Sequence, residues 1–249
     1  MPYANNDGTK IYYETHGHSQ GEAIVLLHGF SSSSKQWQMT GYVAALERYY
    51  RVILIDLRGH GLSDKPHDHD AYALEKRIDD VRAVLAELAV QRCHVLAYSM
   101  GGWLAFGLAL RYPQLVATLI IGGAHPYADS LSAFAALDGS DPDAFISALE
   151  NFIGETVSKE ARPFILHNDL AALAAAARDR DGYQPRLAEI TAPLMLFSGD
   201  GDRRLPTIEK AAKDLHAEKL LIVPGTNHAS TLFAAKALLP DIIAFLQQH

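Results

Sequence analysis

Six short, mostly apolar runs, separated by amphipathic stretches, constrain this chain more than any other feature. They are 23–27, 52–55, 94–97, 119–121, 194–197 and 220–223. Their apolar residues do not alternate with polar ones, which suits strands buried on both faces of a helix-covered parallel sheet. Between them lie stretches such as 74–88, where Ile78, Val81, Leu85 and Leu88 recur at helical spacing. Strand, helix, strand repetition implies right-handed crossovers and an α/β, doubly wound, mostly parallel sheet. The first segment differs. Lys10-Ile11-Tyr12-Tyr13-Glu14 follows the turn signal Asn5-Asn6-Asp7-Gly8, so an antiparallel hairpin is expected at the sheet edge.

One stretch breaks the alternation. From about Pro126 to Ile190 only helical pattern is visible. Ser140-Asp141-Pro142 reads as a helix start with proline at the first helical position. Ser158 and Asn168 are further N-cap candidates, and 171–177 is rich in alanine, the best helix former. Such a segment is too long for an ordinary loop. It is expected to form a small helical cap, 126–189, inserted into a core built from 1–125 and 190–249. Phe134, Phe145, Phe152 and Phe164 could line an apolar pocket under that cap, or pack it onto the core.

Composition narrows the partners. The 249 residues carry 22 basic and 29 acidic side chains, a formal charge of −7. A net-negative chain lacks the basic footprint that phosphate neutralisation requires, so nucleic acid is not expected as a partner. The single cysteine, Cys93, can form neither an internal disulfide nor a thiolate metal site, and reads as a small packing residue. Met1 to Asp7 shows no basic region followed by an apolar stretch, and no apolar run approaches the ~20 residues that span a bilayer. A cytoplasmic protein without a membrane partner is therefore expected. His67-Asp68-His69-Asp70 has metal-binding side chains, but four adjacent residues cannot converge on one ion; a solvated loop is expected, and no metal. The pairs Gly101-Gly102 and Gly122-Gly123 do not make a dinucleotide fingerprint.

Nucleophilic catalysis by serine needs an exposed hydroxyl, a base for its proton, and donors for the developing oxyanion. In His94-Val95-Leu96-Ala97-Tyr98-Ser99-Met100-Gly101-Gly102-Trp103 an apolar strand runs into a helical pattern with a serine at the junction. Ala97 and Gly101 are small, as a sharp strand-to-helix turn requires. This stretch resembles the nucleophile elbow of the α/β-hydrolase family, Gly-x-Ser-x-Gly, with Ala97 replacing the first glycine.

Three further stretches carry the resemblance. The strand 24–27 ends in His28-Gly29-Phe30, where the family places half of its oxyanion hole; the resemblance implies backbone N–H donors at Phe30 and Met100, with His28 structural. Asp56-Leu57-Arg58-Gly59-His60-Gly61-Leu62-Ser63 is similar to the family's Asp-x-Arg-Gly-x-Gly-x-Ser loop, with Asp56, Arg58 and Ser63 as scaffold. The triad acid and base follow the serine in chain order. Gly199-Asp200-Gly201-Asp202 offers two aspartates; the family's spacing selects Asp202, leaving Asp200 as a turn residue. His228, in Gly225-Thr226-Asn227-His228 after the last strand run, stands where the family has its base.

The resemblance covers nearly the whole chain except the cap, and it implies an eight-stranded sheet with the cap after the sixth strand. It also implies a serine hydrolase cleaving a carboxylic ester or related acyl compound, with no cofactor. A lactonase, amidase, C–C bond hydrolase or cofactor-free perhydrolase would use the same triad. A non-catalytic ligand receptor could retain it too. Aspartate-nucleophile relatives, the haloalkane dehalogenases and epoxide hydrolases, are excluded by Ser99. His125 and Tyr127 follow the strand 116–121 and stand as substrate contacts or as the start of the cap. The sequence is silent on substrate identity and oligomeric state.

Overall fold

A computed structural model, which describes residues 2–249, arranges eight strands in one open sheet. They are β1 (Tyr3–Asn6), β2 (Thr9–Gly17), β3 (Ala23–Leu27), β4 (Arg51–Ile55), β5 (Cys93–Tyr98), β6 (Val116–Gly122), β7 (Leu194–Gly199) and β8 (Lys219–Val223). Their order is β1-β2-β4-β3-β5-β6-β7-β8. The β1–β2 and β2–β4 pairs are antiparallel, and every later pair is parallel. The expected hairpin is present. Asp7 and Gly8 both take positive φ (48° and 85°), the backbone that a two-residue turn needs to match strand twist.

Helices cover both faces. In chain order they are α1 (Lys35–Met39), α2 (Tyr42–Leu46), α3 (Leu74–Glu87), α4 (Met100–Arg111), α5 (Pro142–Ile153), α6 (Arg162–Leu166), α7 (Leu170–Ala176), α8 (Leu205–Asp214) and α9 (Ala235–Leu246). Strand periodicity divides the core in two. Val25, Leu27, Ile53, Ile55, Val95 and Ala97 face α3 and α4. Ile24, Leu26, Val52, Leu54 and Leu96 face α2 and α9. Truncating one of these fully buried leucines to alanine would cost about 2–5 kcal/mol, since packed surroundings collapse only partly into the void.

One strand departs from the expectation of burial on both faces. β8 is the sheet edge, so Leu220 and Leu221 are half-buried and Ile222 is exposed. Among the described residues no helix is long and apolar enough to cross a membrane.

The insertion between β6 and β7 contains α5, α6 and α7 and packs around Phe134, Phe145, Phe152 and Leu173. Three of the four insertion phenylalanines therefore pack internally, while Phe164 is exposed. Asp141 caps α5, accepting from the N–H groups of Asp143 and Ala144, with Pro142 following it. The cap of α7 is Asp169 rather than Asn168; Asp169 accepts from the Ala172 N–H. The Asn168 amide instead donates to the Ser31 carbonyl, tying the insertion to the loop after β3. Ser158 accepts from the Ala161 N–H in a turn and does not cap α6.

The segment His67–Asp70 is exposed, as expected of a solvated loop, and it also contacts the insertion. His67 Nε2 lies 3.0 Å from Asp169, and His69 Nδ1 donates to the Ala175 carbonyl at 3.0 Å. Both hold α7 against the sheet domain.

Candidate active site

The C-terminal ends of β3, β5, β7 and β8 bring the sequence-selected residues together, along the edge where open α/β sheets carry their sites. Ser99 sits between β5 and α4 with φ 51° and ψ −114°. A non-glycine residue in this region is strained by ~1–3 kcal/mol and persists only where its surroundings force it. Here the forcing contacts are visible. Ser99 donates its N–H to the Gly122 carbonyl at 2.8 Å and accepts from the Trp103 N–H at 3.0 Å. Gly101 is required for a reason other than closeness to Ala97: a Cβ there would lie 2.4 Å from the Leu27 carbonyl oxygen. The first turn of α4 is pressed onto the end of β3.

Ser99 Oγ lies 3.0 Å from His228 Nε2, and His228 Nδ1 lies 2.8 Å from Asp202 Oδ2. The carboxylate fixes the tautomer: Nδ1–H donates to Asp202, leaving Nε2 to accept the serine hydroxyl proton. All three side chains are buried. Asp200, by contrast, is exposed. Burial pushes the Asp202 carboxyl up, but the His228 hydrogen bond and charge, the Arg204 N–H and the Arg204 guanidinium outweigh it. It therefore lies below the ordinary carboxylate range and is ionised at neutral pH.

Three bonds steady the histidine. The Tyr98 hydroxyl donates to the His228 carbonyl at 2.5 Å, and the Glu155 carboxylate accepts from the His228 N–H at 2.7 Å. The third is the Asp202 contact itself. Neither Tyr98 nor Glu155 was marked by sequence reasoning. Glu155 lies in the insertion, and nothing in its local sequence says that it reaches across to β8.

Met100 is the first residue of α4, where an N–H has no intrahelical partner. The Phe30 N–H likewise has no hydrogen-bond partner among the described residues. Gly29 is close by: a Cβ built there would lie 3.5 Å from Ser99 Cβ. His28 and His60 hold this loop as neutral rings. His28 Nδ1 donates to the Gly29 carbonyl, and its Nε2 accepts from the Leu57 N–H. His60 Nδ1 donates to the Arg58 carbonyl, and its Nε2 accepts from the Ser31 N–H. Burial drives both pKa values below the ordinary imidazole value.

Asp56 accepts from the Ser34 and Leu62 N–H groups, and Ser63 donates to the Asp56 carbonyl. Arg58 makes a bidentate pair with buried Asp80. These residues brace the site and do not enter it.

Beside Gly123 and His228 lies a narrow cleft of about 10 Å³, lined by Trp103, His125, Tyr127, Asp129, Arg180 and Arg204, room for about one water. Tyr127 contributes its ring only, because its hydroxyl donates to Asp214 on α8. His125 is mostly buried and its Nδ1 has no partner among the described residues. A separate cavity of about 290 Å³, lined by Arg92, Pro113 and Pro193, lies at the opposite ends of β5, β6 and β7 and has no part in this arrangement.

The pattern of the Alpha/beta hydrolase family matches residues 24–239. The chain is 30% identical to a protein of Variovorax paradoxus named as the carbamate hydrolase RutD, over 95% of this chain and 96% of the relative. It is 27% identical to a Bacillus subtilis protein named as a 2-succinyl-6-hydroxy-2,4-cyclohexadiene-1-carboxylate synthase, over 90% and 89% of the two chains. The enol-lactonase of Burkholderia xenovorans shares the fold, with a TM-score of 0.83 at 23% identity over 99% of this chain and all of that one. With the family pattern spanning most of the sheet and its insertion, the chain is a hydrolase that belongs to the alpha/beta hydrolase family.

Proposed function

We propose that this chain is a serine hydrolase that cleaves a carboxylic ester or related acyl compound through an acyl-enzyme on Ser99. The observation that supports this reading most is the continuous chain of contacts from Ser99 Oγ through His228 to Asp202, at 3.0 and 2.8 Å. These are hydrogen-bonding distances for a nucleophile, its base and the base's orienting group.

Ser99 Oγ attacks the substrate carbonyl carbon while His228 Nε2 takes its proton. The oxyanion then forms between the Phe30 and Met100 N–H groups. Fixed backbone donors suit this task because they need no reorganisation as charge develops, and losing one typically costs ~3 kcal/mol of barrier. Collapse of the intermediate breaks the bond to the leaving oxygen, which takes the proton from His228 Nε2. Water, giving a proton to the same nitrogen, attacks the acyl-enzyme; Ser99 recovers its proton and the acid departs. Asp202 remains ionised and stabilises the imidazolium at both stages. No step requires a cofactor. A carbamate follows the same steps with nitrogen as a possible leaving atom, and the relative named as a carbamate hydrolase makes it the second class of compound to assay.

The test is hydrolysis of small aryl esters by the parent and by Ser99→Ala. The variant is expected to lose about 10³-fold or more in kcat. Equal rates would remove Ser99 from the mechanism.

A further inference from the structure

The cleft beside the triad holds cationic groups that ester hydrolysis as such does not use. Arg180 and Arg204 are 8% and 6% exposed, so both are nine-tenths buried. The Arg180 guanidinium lies 5.6 Å from the centre of the Trp103 ring and 5.4 Å from that of Phe152. Arg204 lies 4.7 Å from the same Phe152 ring. Among the described residues the Arg180 side chain has no hydrogen bond and no carboxylate within ion-pair distance. Arg204 Nη2 donates to the Phe152 carbonyl at 3.2 Å and lies 3.9 Å from Asp129, but its buried Nη1 has no partner. Arg77, behind Trp103 at 5.9 Å, has Nε and Nη2 buried and unpartnered as well.

The walls of the cleft adjoin Ser99, Asp202 and His228. Trp103 is one helical turn beyond Ser99, and the Arg204 N–H donates to Asp202 Oδ1 at 2.9 Å. A Cβ on Gly123, in the wall of the cleft, would lie 3.0 Å from His228 Cε1. Arg180 is held in place by its backbone, which pairs with Asp129 in both directions at 3.0 and 2.8 Å.

A buried charge without a counter-ion is costly, and stacking on aromatic rings offsets only ~1–2 kcal/mol of it. Burial lowers the Arg180 pKa to about 9, so the group remains cationic at neutral pH. Among the described residues Asp129 is the one carboxylate that acts on both Arg180 and Arg204; Arg204 also feels Asp202, which is hydrogen-bonded to His228, while Asp80 is paired with Arg58. The cleft is short of negative charge, and guanidinium groups match a carboxylate in shape as well as in sign.

Resting on the reading of Ser99 as nucleophile, we propose that this cleft receives a carboxylate of the substrate, held by Arg180 and Arg204, so that the compounds turned over are esters bearing a second, anionic carboxylate a few bonds from the scissile carbonyl. The carboxylate would displace the water that the cleft can hold and would part the guanidinium groups from their aromatic neighbours.

The experiment compares 4-nitrophenyl hemiglutarate with 4-nitrophenyl pentanoate, which is similar in length and uncharged. The parent is expected to favour the hemiglutarate in kcat/KM by about 10- to 100-fold, the range of a charge-assisted hydrogen bond. In Arg180→Gln that ratio should fall towards one. Calorimetry with free glutarate provides a readout that does not need turnover. Glutarate should bind the parent, bind Arg180→Gln at least about tenfold more weakly, and bind Asp129→Asn more tightly, because that variant removes the competing internal carboxylate. Asp129→Asn keeps the test available should Arg180→Gln fail to fold. Ser99-dependent hydrolysis with no preference for the hemiglutarate would overturn the carboxylate site and leave the proposed function standing. Glutarate binding without Ser99-dependent hydrolysis of either ester would do the reverse. Absence of glutarate binding to the parent would overturn the carboxylate site whatever the rates.

Discussion

Glu155, in the loop after α5, accepts the backbone N–H of His228 at 2.7 Å and so couples the insertion to the histidine proposed as the base. Its second oxygen lies 3.4 Å from the Ala229 N–H. Without the carboxylate these two donors would lose their partner, and a partly buried N–H left unsatisfied costs about 1–3 kcal/mol. Glu155→Ala is expected to lower kcat by about tenfold with a smaller change in KM, because the loop holding the base would loosen. Glu155→Gln, which keeps an accepting oxygen, should retain most of the rate. Steady-state kinetics on one aryl ester distinguishes the two.

The two aspartates of the β7 loop should separate sharply. Asp202→Asn leaves the shape of the site intact but favours the wrong imidazole tautomer, and kcat should fall by about 10⁴-fold. Asp200→Asn, at an exposed position without a contact to His228, should change kcat less than threefold, a limit of roughly 0.6 kcal/mol. If Asp200→Asn were the more damaged variant, the acid would have been misassigned.

Stability should fall as the solution is acidified from pH 7. His28 and His60 have folded pKa values below the ordinary ~6.5 of the unfolded chain. Between those two limits the unfolded state binds more protons than the folded one. Each ring then removes up to ~1.4 kcal/mol per pH unit below about 6.5, and its contribution is complete above that value. Asp202 acts in the same direction at lower pH, since its depressed pKa helps folding above the ordinary carboxylate range and that help is lost as pH falls through the folded value. Urea denaturation at pH 7.5 and 5.5 checks the sign. Equal midpoints would mean that the two rings protonate in place.

What could be read from the sequence follows from how local each signal is. The apolar runs and the Asp7-Gly8 turn are local, so β2 to β8 and the hairpin were legible, although Asn5 and Asn6, read as part of the turn, belong to β1. The exposure of β8 was not, because an edge strand differs from a central one only in what lies beside it. The convergence of Ser99, Asp202 and His228 was legible because each follows the C-terminal end of a strand, and parallel strands deliver those ends to one edge. At α7 two adjacent residues could both cap, and Asp169 won while Asn168 turned to the Ser31 carbonyl. Arg180, Arg204, Trp103 and Phe152 sit on four separate segments and meet only after the insertion folds back. No spacing in the sequence could have announced that cluster.

The most direct measurement is the site of covalent labelling. The protein is treated with a 4-nitrophenyl organophosphonate, and intact mass is followed by peptide mapping. One phosphonyl group is expected per chain, on the peptide carrying Ser99, with loss of esterase activity in proportion to labelling. His228→Ala should label far more slowly, because the serine would have no base. Labelling elsewhere, or full esterase activity in a chain quantitatively labelled at Ser99, would contradict the assignment of Ser99 as the nucleophile.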